Sequence, residues 1–304
     1  MNLRHTEADF PRDPIAAVTH RDPYPYYARL VAETPFYRDE ALGLWVASSA
    51  AAVTAVLTSD LCRVRPPAEP VPKALLGSPA ADIFGHLVRM NDGVGHCPFK
   101  QAVSATLDSV EGTRVAEQSK TSARTLANEL EPMADPCRLA DFAFRLPVYV
   151  VASLLGIPED GRGQVARWTG DFVRCLSPLS TPEQIEQSKA AAGQLLDLFR
   201  SLLAGRRTGG LLGTLAGKAQ RLGREDVDVI VANGIGFLSQ SYEATAGLIG
   251  NTLLALMSRP RLREQVGTDP SLLRHVVLEV LRYDPPIQNT RRFLAGSERS
   301  SDSR

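Results

Sequence analysis

Glu243 is the residue most out of place in this sequence. It stands with Ser239, Gln240, Ser241 and Thr245 inside a stretch, Glu225 to Met257, that holds no proline and is apolar on nearly every face. Carboxyl, amide and hydroxyl groups buried in such surroundings lose free energy unless they find partners. The same stretch carries Gly234, Gly236, Gly247 and Gly250, each costing roughly 1 kcal/mol against alanine in a helix interior. Close approach of a flat ligand or of a neighbouring backbone would offset that cost. The alternative is purely structural: serines bond back to carbonyls one turn earlier and Glu243 pairs with an arginine. The segment alone leaves both readings open.

Two further sets could do chemistry. His96 and Lys100 stand one helical turn apart on one face, and histidine is the side chain whose charge changes near neutral pH. Glu279 and Arg282, three residues apart, can meet as an ion pair, which on a solvated helix contributes under about 1 kcal/mol. Other chemistries are excluded by spacing. The glycine-rich stretch from Gly205 to Gly217 fails as a phosphate loop, because Leu212 stands where glycine is needed and Ala219 follows Gly217-Lys218 where serine or threonine is needed. Cys62, Cys97, Cys137 and Cys175 form no C-x-x-C, which favours reduced thiols over a disulfide or zinc framework.

Composition narrows the class. With 304 residues and 44% hydrophobic content the chain can bury a large core as one domain or two. Basic and acidic residues balance at 34 each and no basic block stands out, so nucleic acid is not an expected partner. The N-terminus MNLRHTEADFPRDP lacks the apolar core and cleavage pattern of an export signal, and the cytoplasm is the expected location.

The elements that must position these residues are mainly helical. Glu225 to Met257 reads as one rod of about 50 Å at 1.5 Å per residue, with Glu225 and Asp226 at the positive end of its dipole. Asp228, Asn233, Ser239, Gln240 and Glu243 interrupt it too often for a membrane span. Earlier, Asp22-Pro23-Tyr24-Pro25 leads into a short helix, Tyr26 to Glu33. A small hairpin follows near Phe36-Tyr37 and Leu44 to Ala47, then a helix from Ser49 to Leu57. Residues 62 to 82, with five prolines, read as a long loop. A helix begins near His96 with Pro98 tolerated only in its first turn. Further helices are expected over Ser119 to Leu130, Asp141 to Leu155, Gln164 to Leu176, Pro182 to Leu203 and Ser271 to Tyr283, with a short helical turn from Pro260. From Gly296 the chain is polar with no core-forming residue.

Taken together, Asp22-Pro23-Tyr24-Pro25, Met90-Asn91-Asp92, Leu155-Gly156-Ile157-Pro158 and Glu279-Val280-Leu281-Arg282-Tyr283-Asp284-Pro285-Pro286 behind the long helix resemble the soluble bacterial cytochrome P-450 family of heme-thiolate monooxygenases. The resemblance covers almost the whole chain. It implies a mainly α fold with the long helix at its centre and a small β region near the N-terminus. It also implies heme b as cofactor, a ferredoxin or flavoprotein electron donor, and oxidation of a small apolar, lipid- or terpenoid-like substrate by dioxygen. His96 and Lys100 resemble the pair that holds the heme propionates, although the family has arginine where this chain has Lys100, which keeps the charge and loses the fork. Arg292 resembles the third propionate ligand, and Glu279 with Arg282 the family's structural pair, whose further partner is absent from the sequence.

Two departures bear on activity. The family's small residue, glycine, any residue, acid and threonine correspond to Gln240, Ser241, Tyr242, Glu243 and Ala244, so the alcohol of the family's proton relay is replaced by alanine. Thr245 lies about 100° round the helix and cannot simply replace it; a water relay organised by Glu243 with Gln240 or Ser241 is the remaining route. The family's iron ligand is a cysteine in a glycine-rich loop after the Glu-x-x-Arg helix, and no such loop occurs. The resemblance therefore implies an incomplete domain over residues 1–295, truncated before the cysteine loop. Residues 296–304 would be a disordered tail or the product of a shifted reading frame, and the protein a pseudoenzyme with no metal ligand of its own. The second reading is a heme-free, non-catalytic helper that binds a partner enzyme.

Overall fold

The structure, a computed structural model, describes residues 10–66, 68–92, 96–177, 180–205 and 209–295, apart from the side chains of His96 and Cys97. Helices dominate, and the described residues divide into two compact units, one of those up to 68 with 287–295 and one of those between 69 and 286.

The first unit opens with α1 (Pro14–Ala17), whose first N–H groups are held by Asp13 Oδ1 at 2.9 and 2.7 Å. Helix α2 (Tyr24–Glu33) has Pro25 in its first turn, where its missing N–H costs nothing. Strands β1 (Phe36–Asp39) and β2 (Leu44–Ala47) pair antiparallel with Phe36 opposite Ala47. Gly43, at φ +64°, supplies the left-handed residue in the connection that an L side chain resists. After α3 (Ala50–Thr58), capped by Ser49, the two-residue strand β3 (Cys62–Arg63) pairs with β4 (Phe293–Leu294). The segment 288–294 is thereby tied to the early part of this unit, helped by the Tyr27 hydroxyl donating to Gln288 Oε1 at 2.7 Å.

The second unit is a helical body: α4 (Pro79–His86), α5 (His96–Asp108), α6 (Gly112–Leu130), α7 (Leu139–Leu155), α8 (Glu159–Val173), α9 (Pro182–Ala204), α10 (Gly210–Arg221), α11 (Val227–Met257), α12 (Pro260–Thr268) and α13 (Leu273–Tyr283). Helix α11 is the hub and packs against α4, α7, α8, α9, α10, α12 and α13. Around its first half lie Phe172, Leu195, Phe199, Leu212, Leu215 and Ile83, all fully buried. At about 25 cal/mol per Å² of apolar surface, each such side chain contributes roughly 1.5–3 kcal/mol.

Two expectations from the sequence are corrected. The stretch 62–82 is not one loop: it contains β3, a 3₁₀ turn at Lys73–Leu75 and the start of α4, where Pro79 takes the first helical position behind the Ser78 cap. Helices α6 and α8 begin earlier than Ser119 and Gln164. Gly112, Gly161 and Gly163 lower helix propensity in exactly those first turns, while Glu159 and Asp160 favour the helix start electrostatically. The later part of the glycine-rich stretch, from Gly210, lies in α10, with Gly210 at φ +74° pressed against the Leu154 carbonyl.

Candidate functional site

The site is built on α11. Asp226 caps it, its Oδ1 accepting from the N–H groups of Asp228 at 3.0 Å and Val229 at 3.2 Å, so the helix starts just after the expected Glu225. Ile230 to Ser239 are buried without interruption, and from Gln240 one side of the helix opens. At about 100° per residue, Gly236, Gln240, Glu243 and Gly247 fall within a sector of roughly 60°. Both ends of this stripe are closed by neighbours. Leu87 Cδ2 lies 2.8 Å from where a Cβ on Gly236 would sit, and Pro286 Cβ lies 2.8 Å from the same point on Gly247. Between them Gln240 and Glu243 are exposed, giving an open trough roughly 16 Å long at 1.5 Å per residue.

The glycines thus have a structural reason, and it differs from the expected ligand or backbone. At Gly234 a Cβ would meet Leu212 Cδ1 at 2.7 Å and Phe199 Cε1 at 2.9 Å; Gly236 and Gly247 admit Leu87 and Pro286. Side chains of neighbouring segments make the close approaches. A Cβ on Gly250 would meet nothing within 4 Å.

The polar groups divide by face. Ser239 donates to the Gly236 carbonyl at 3.3 Å, Ser241 to Leu238 at 2.9 Å and the Gln240 amide to Gly236 at 3.1 Å, the back-bonding that relieves buried hydroxyls in helices. Ser241 and Thr245 point about 130° and 170° away from the stripe. Tyr242 turns to a third side, its ring 5.0 Å from that of Phe144 and its hydroxyl over Gly170. Of the four expected catalytic residues, the structure therefore gathers Glu243 and Gln240 on one face and separates Ser241 and Thr245 from them.

Glu243 forms no hydrogen bond or ion pair among the described residues. Desolvation by surrounding protein raises its carboxyl above the usual range, and the positive charge of Arg89 partly offsets this. Arg89 in turn has its guanidinium lowered by desolvation, with Glu243 opposing. Both side chains are exposed to solvent. Arg89 belongs to the 3₁₀ turn Val88–Met90, which is latched to α11 by Asn233. Asn233 Oδ1 accepts from the Val88 N–H at 3.0 Å, and its Nδ2 donates to the His86 carbonyl at 2.9 Å and to Val229 at 2.8 Å. Sequence reasoning missed both residues. Arg89 is a lone arginine with no periodic signal, and Asn233 looked only like an interruption of an apolar run.

The remaining expected residues stand as follows. Lys100 is exposed on α5, which packs against α10 and the Val88–Met90 turn; His96 opens α5, and its side chain lies outside the described residues. Arg292, in the first unit, donates to Thr290 Oγ1 at 3.1 Å and to its neighbour's carbonyl at 2.7 Å. Glu279 and Arg282 form a two-pronged pair at 2.8 and 2.7 Å, with 61% and 69% of their side chains exposed. Cys175 is buried between α8 and α9, where desolvation pushes its thiol up to about 12 and keeps it neutral. Cys137 is exposed before α7, and Cys62 lies in β3. No cluster of three His, Cys, Asp or Glu able to hold a metal occurs among the described residues. Along α11 the exposed Gln240 and Glu243 lie between the contacts of Leu87 at Gly236 and Pro286 at Gly247; none of the described cysteines lies on this helix.

No family model matches the chain. Individual proteins do. It is 29% identical over 291 residues to 6-deoxyerythronolide B hydroxylase of Saccharopolyspora erythraea, covering 91% of this chain and 70% of that protein. It is 28% identical over 312 residues to cytochrome P450 144 of Mycobacterium tuberculosis, covering 93% and 68%. A match to vitamin D(3) 25-hydroxylase of Pseudonocardia autotrophica, 32% identical, covers 49% of this chain and 36% of that one. Among solved structures, CalO2 superposes with a TM-score of 0.74 at 26% identity over 93% of this chain and 75% of its own. Epothilone B-bound P450epoK, at 20% identity, shares the fold with a TM-score of 0.74. No helix among the described residues is long and apolar enough to cross a membrane.

Proposed function

The chain belongs to the bacterial cytochrome P450 family, and from that premise we propose that α11 forms the floor against which heme b lies, with Gln240 and Glu243 beneath it. The observation that carries this reading is the stripe Gly236–Gln240–Glu243–Gly247, open in the middle and closed at both ends by Leu87 and Pro286. When bound, the heme supplies the family's chemistry, insertion of one atom of dioxygen into an apolar substrate with electrons from a ferredoxin or flavoprotein. Glu243 is the group that holds and moves a proton: its raised pKa brings it closer to neutrality than an ordinary carboxylate. Gln240, on the same face, orients water beside it. Ser241 and Thr245 take no part, and Ala244 has no polar atom to offer. Within the helical unit, His96 and Lys100 are the residues we assign to the propionates, and a small, terpenoid-like molecule is the substrate class.

We further propose that this chain by itself does not turn over, because none of its four cysteines takes the position of the family's axial ligand, and heme without a thiolate lacks the push that favours O–O cleavage. The neutral, buried Cys175 favours this reading and equally a heme-free helper that docks on a partner enzyme. The test is the reduced carbon monoxide spectrum of the purified chain after addition of hemin. A Soret band of the nitrogen- or water-ligated type is expected, and a thiolate-type band overturns the inactivity reading. A partner enzyme activated by the heme-free chain would establish the helper.

A further inference from the structure

Among the described residues, Arg89 has no hydrogen-bond or ion-pair partner. Its turn is fixed to α11 from both sides. Leu87 seats on Gly236, and Asn233 bonds Val88 and the His86 carbonyl, while Asn91 Nδ2 donates to the Gly85 and Leu87 carbonyls, each at 2.8 Å. The turn that carries the exposed Arg89 is therefore held beside Gly236, at one end of the trough. Its charge and that of Glu243 sense each other, yet the two form no ion pair, and neither makes a hydrogen bond among the described residues. Five N–H donors in a planar fork remain available, a geometry matched to a carboxylate.

We propose that Arg89 is a carboxylate-binding residue of the trough on α11, so that the molecule lying over Gln240 and Glu243 is an apolar body carrying an acidic group at the end nearest Arg89. The proposal rests on the reading of α11 as a binding floor. The carboxylate can be that of a fatty-acid-like substrate or that of a porphyrin side chain; both meet the same guanidinium. Glu243, which repels an anion, fixes the polarity by keeping the acidic group at the Arg89 end.

The experiment compares probes that differ only in charge. Dodecanoic acid against dodecanol, and protoporphyrin IX against its dimethyl ester, are titrated into the wild-type chain, Arg89→Gln and Glu243→Gln at neutral pH. At least one acid is expected to bind the wild type roughly tenfold tighter than its neutral counterpart. Arg89→Gln should remove that preference without changing affinity for the neutral probe, which also reports that the variant is folded. Glu243→Gln should increase the preference. The pair of probes that shows the preference identifies the source of the carboxylate. Equal binding of acid and neutral probe in both pairs overturns the proposal while leaving the floor in place. Absence of all binding overturns the floor reading and the proposal with it.

Discussion

At the scale of single residues, the geometry makes Glu243 and Asn233 the informative positions. Glu243 has a carboxyl raised by desolvation, so between its unfolded and folded pKa values the native chain binds more protons than the unfolded one. Stability then falls as pH rises through that window. Glu243→Gln should therefore be more stable than the wild type at pH 7 and lose that advantage near pH 4, in urea denaturation followed by circular dichroism; an advantage independent of pH would contradict the assignment. Asn233→Ala leaves the Val88 N–H and the His86 carbonyl without their partner. At about 1–3 kcal/mol for each unsatisfied group, a loss of roughly 2–6 kcal/mol is expected, with faster hydrogen exchange at the Val88 amide. None of this was readable from residue types. The sequence showed an acid and several hydroxyls in an apolar rod, but which of them share a face with an arginine from a different segment depends on the latch through Asn233.

At the scale of elements, helix α11 was legible almost to the residue, because a long proline-free apolar run opening with Glu225 and Asp226 has few alternatives. Where the reading of helix starts failed, proline or glycine stood in the first turn: Pro79 in α4, Gly112 in α6 and Gly161 in α8. Propensity counts against these residues inside a helix and much less at its start, so tertiary packing decided. The glycines inside α11 are different, being spaces for neighbouring side chains. Gly234→Ala would gain roughly 1 kcal/mol of helix propensity and lose about 1–3 kcal/mol by driving a methyl into Phe199 and Leu212. A lowered denaturation midpoint is expected; a raised one would mean that those side chains give way freely.

At the scale of the whole molecule, the family was legible from four short motifs, and the relatives and the fold agree with it. The chain spans 70% and 68% of two relatives matched over most of its length and 36% of a third, so activity, substrate and electron donor stand as proposals on the geometry of α11. Everything in them depends on which side of that helix receives a ligand. Gln240 and Thr245 are both exposed and face nearly opposite directions, which allows a direct comparison within one helix. Hemin titration of Gln240→Trp and Thr245→Trp, read by Soret absorbance against the wild type, is the decisive measurement. The account predicts that Gln240→Trp fills the trough and weakens hemin uptake at least tenfold while Thr245→Trp binds as the wild type does. Equal uptake by both variants, or loss only in Thr245→Trp, would contradict it.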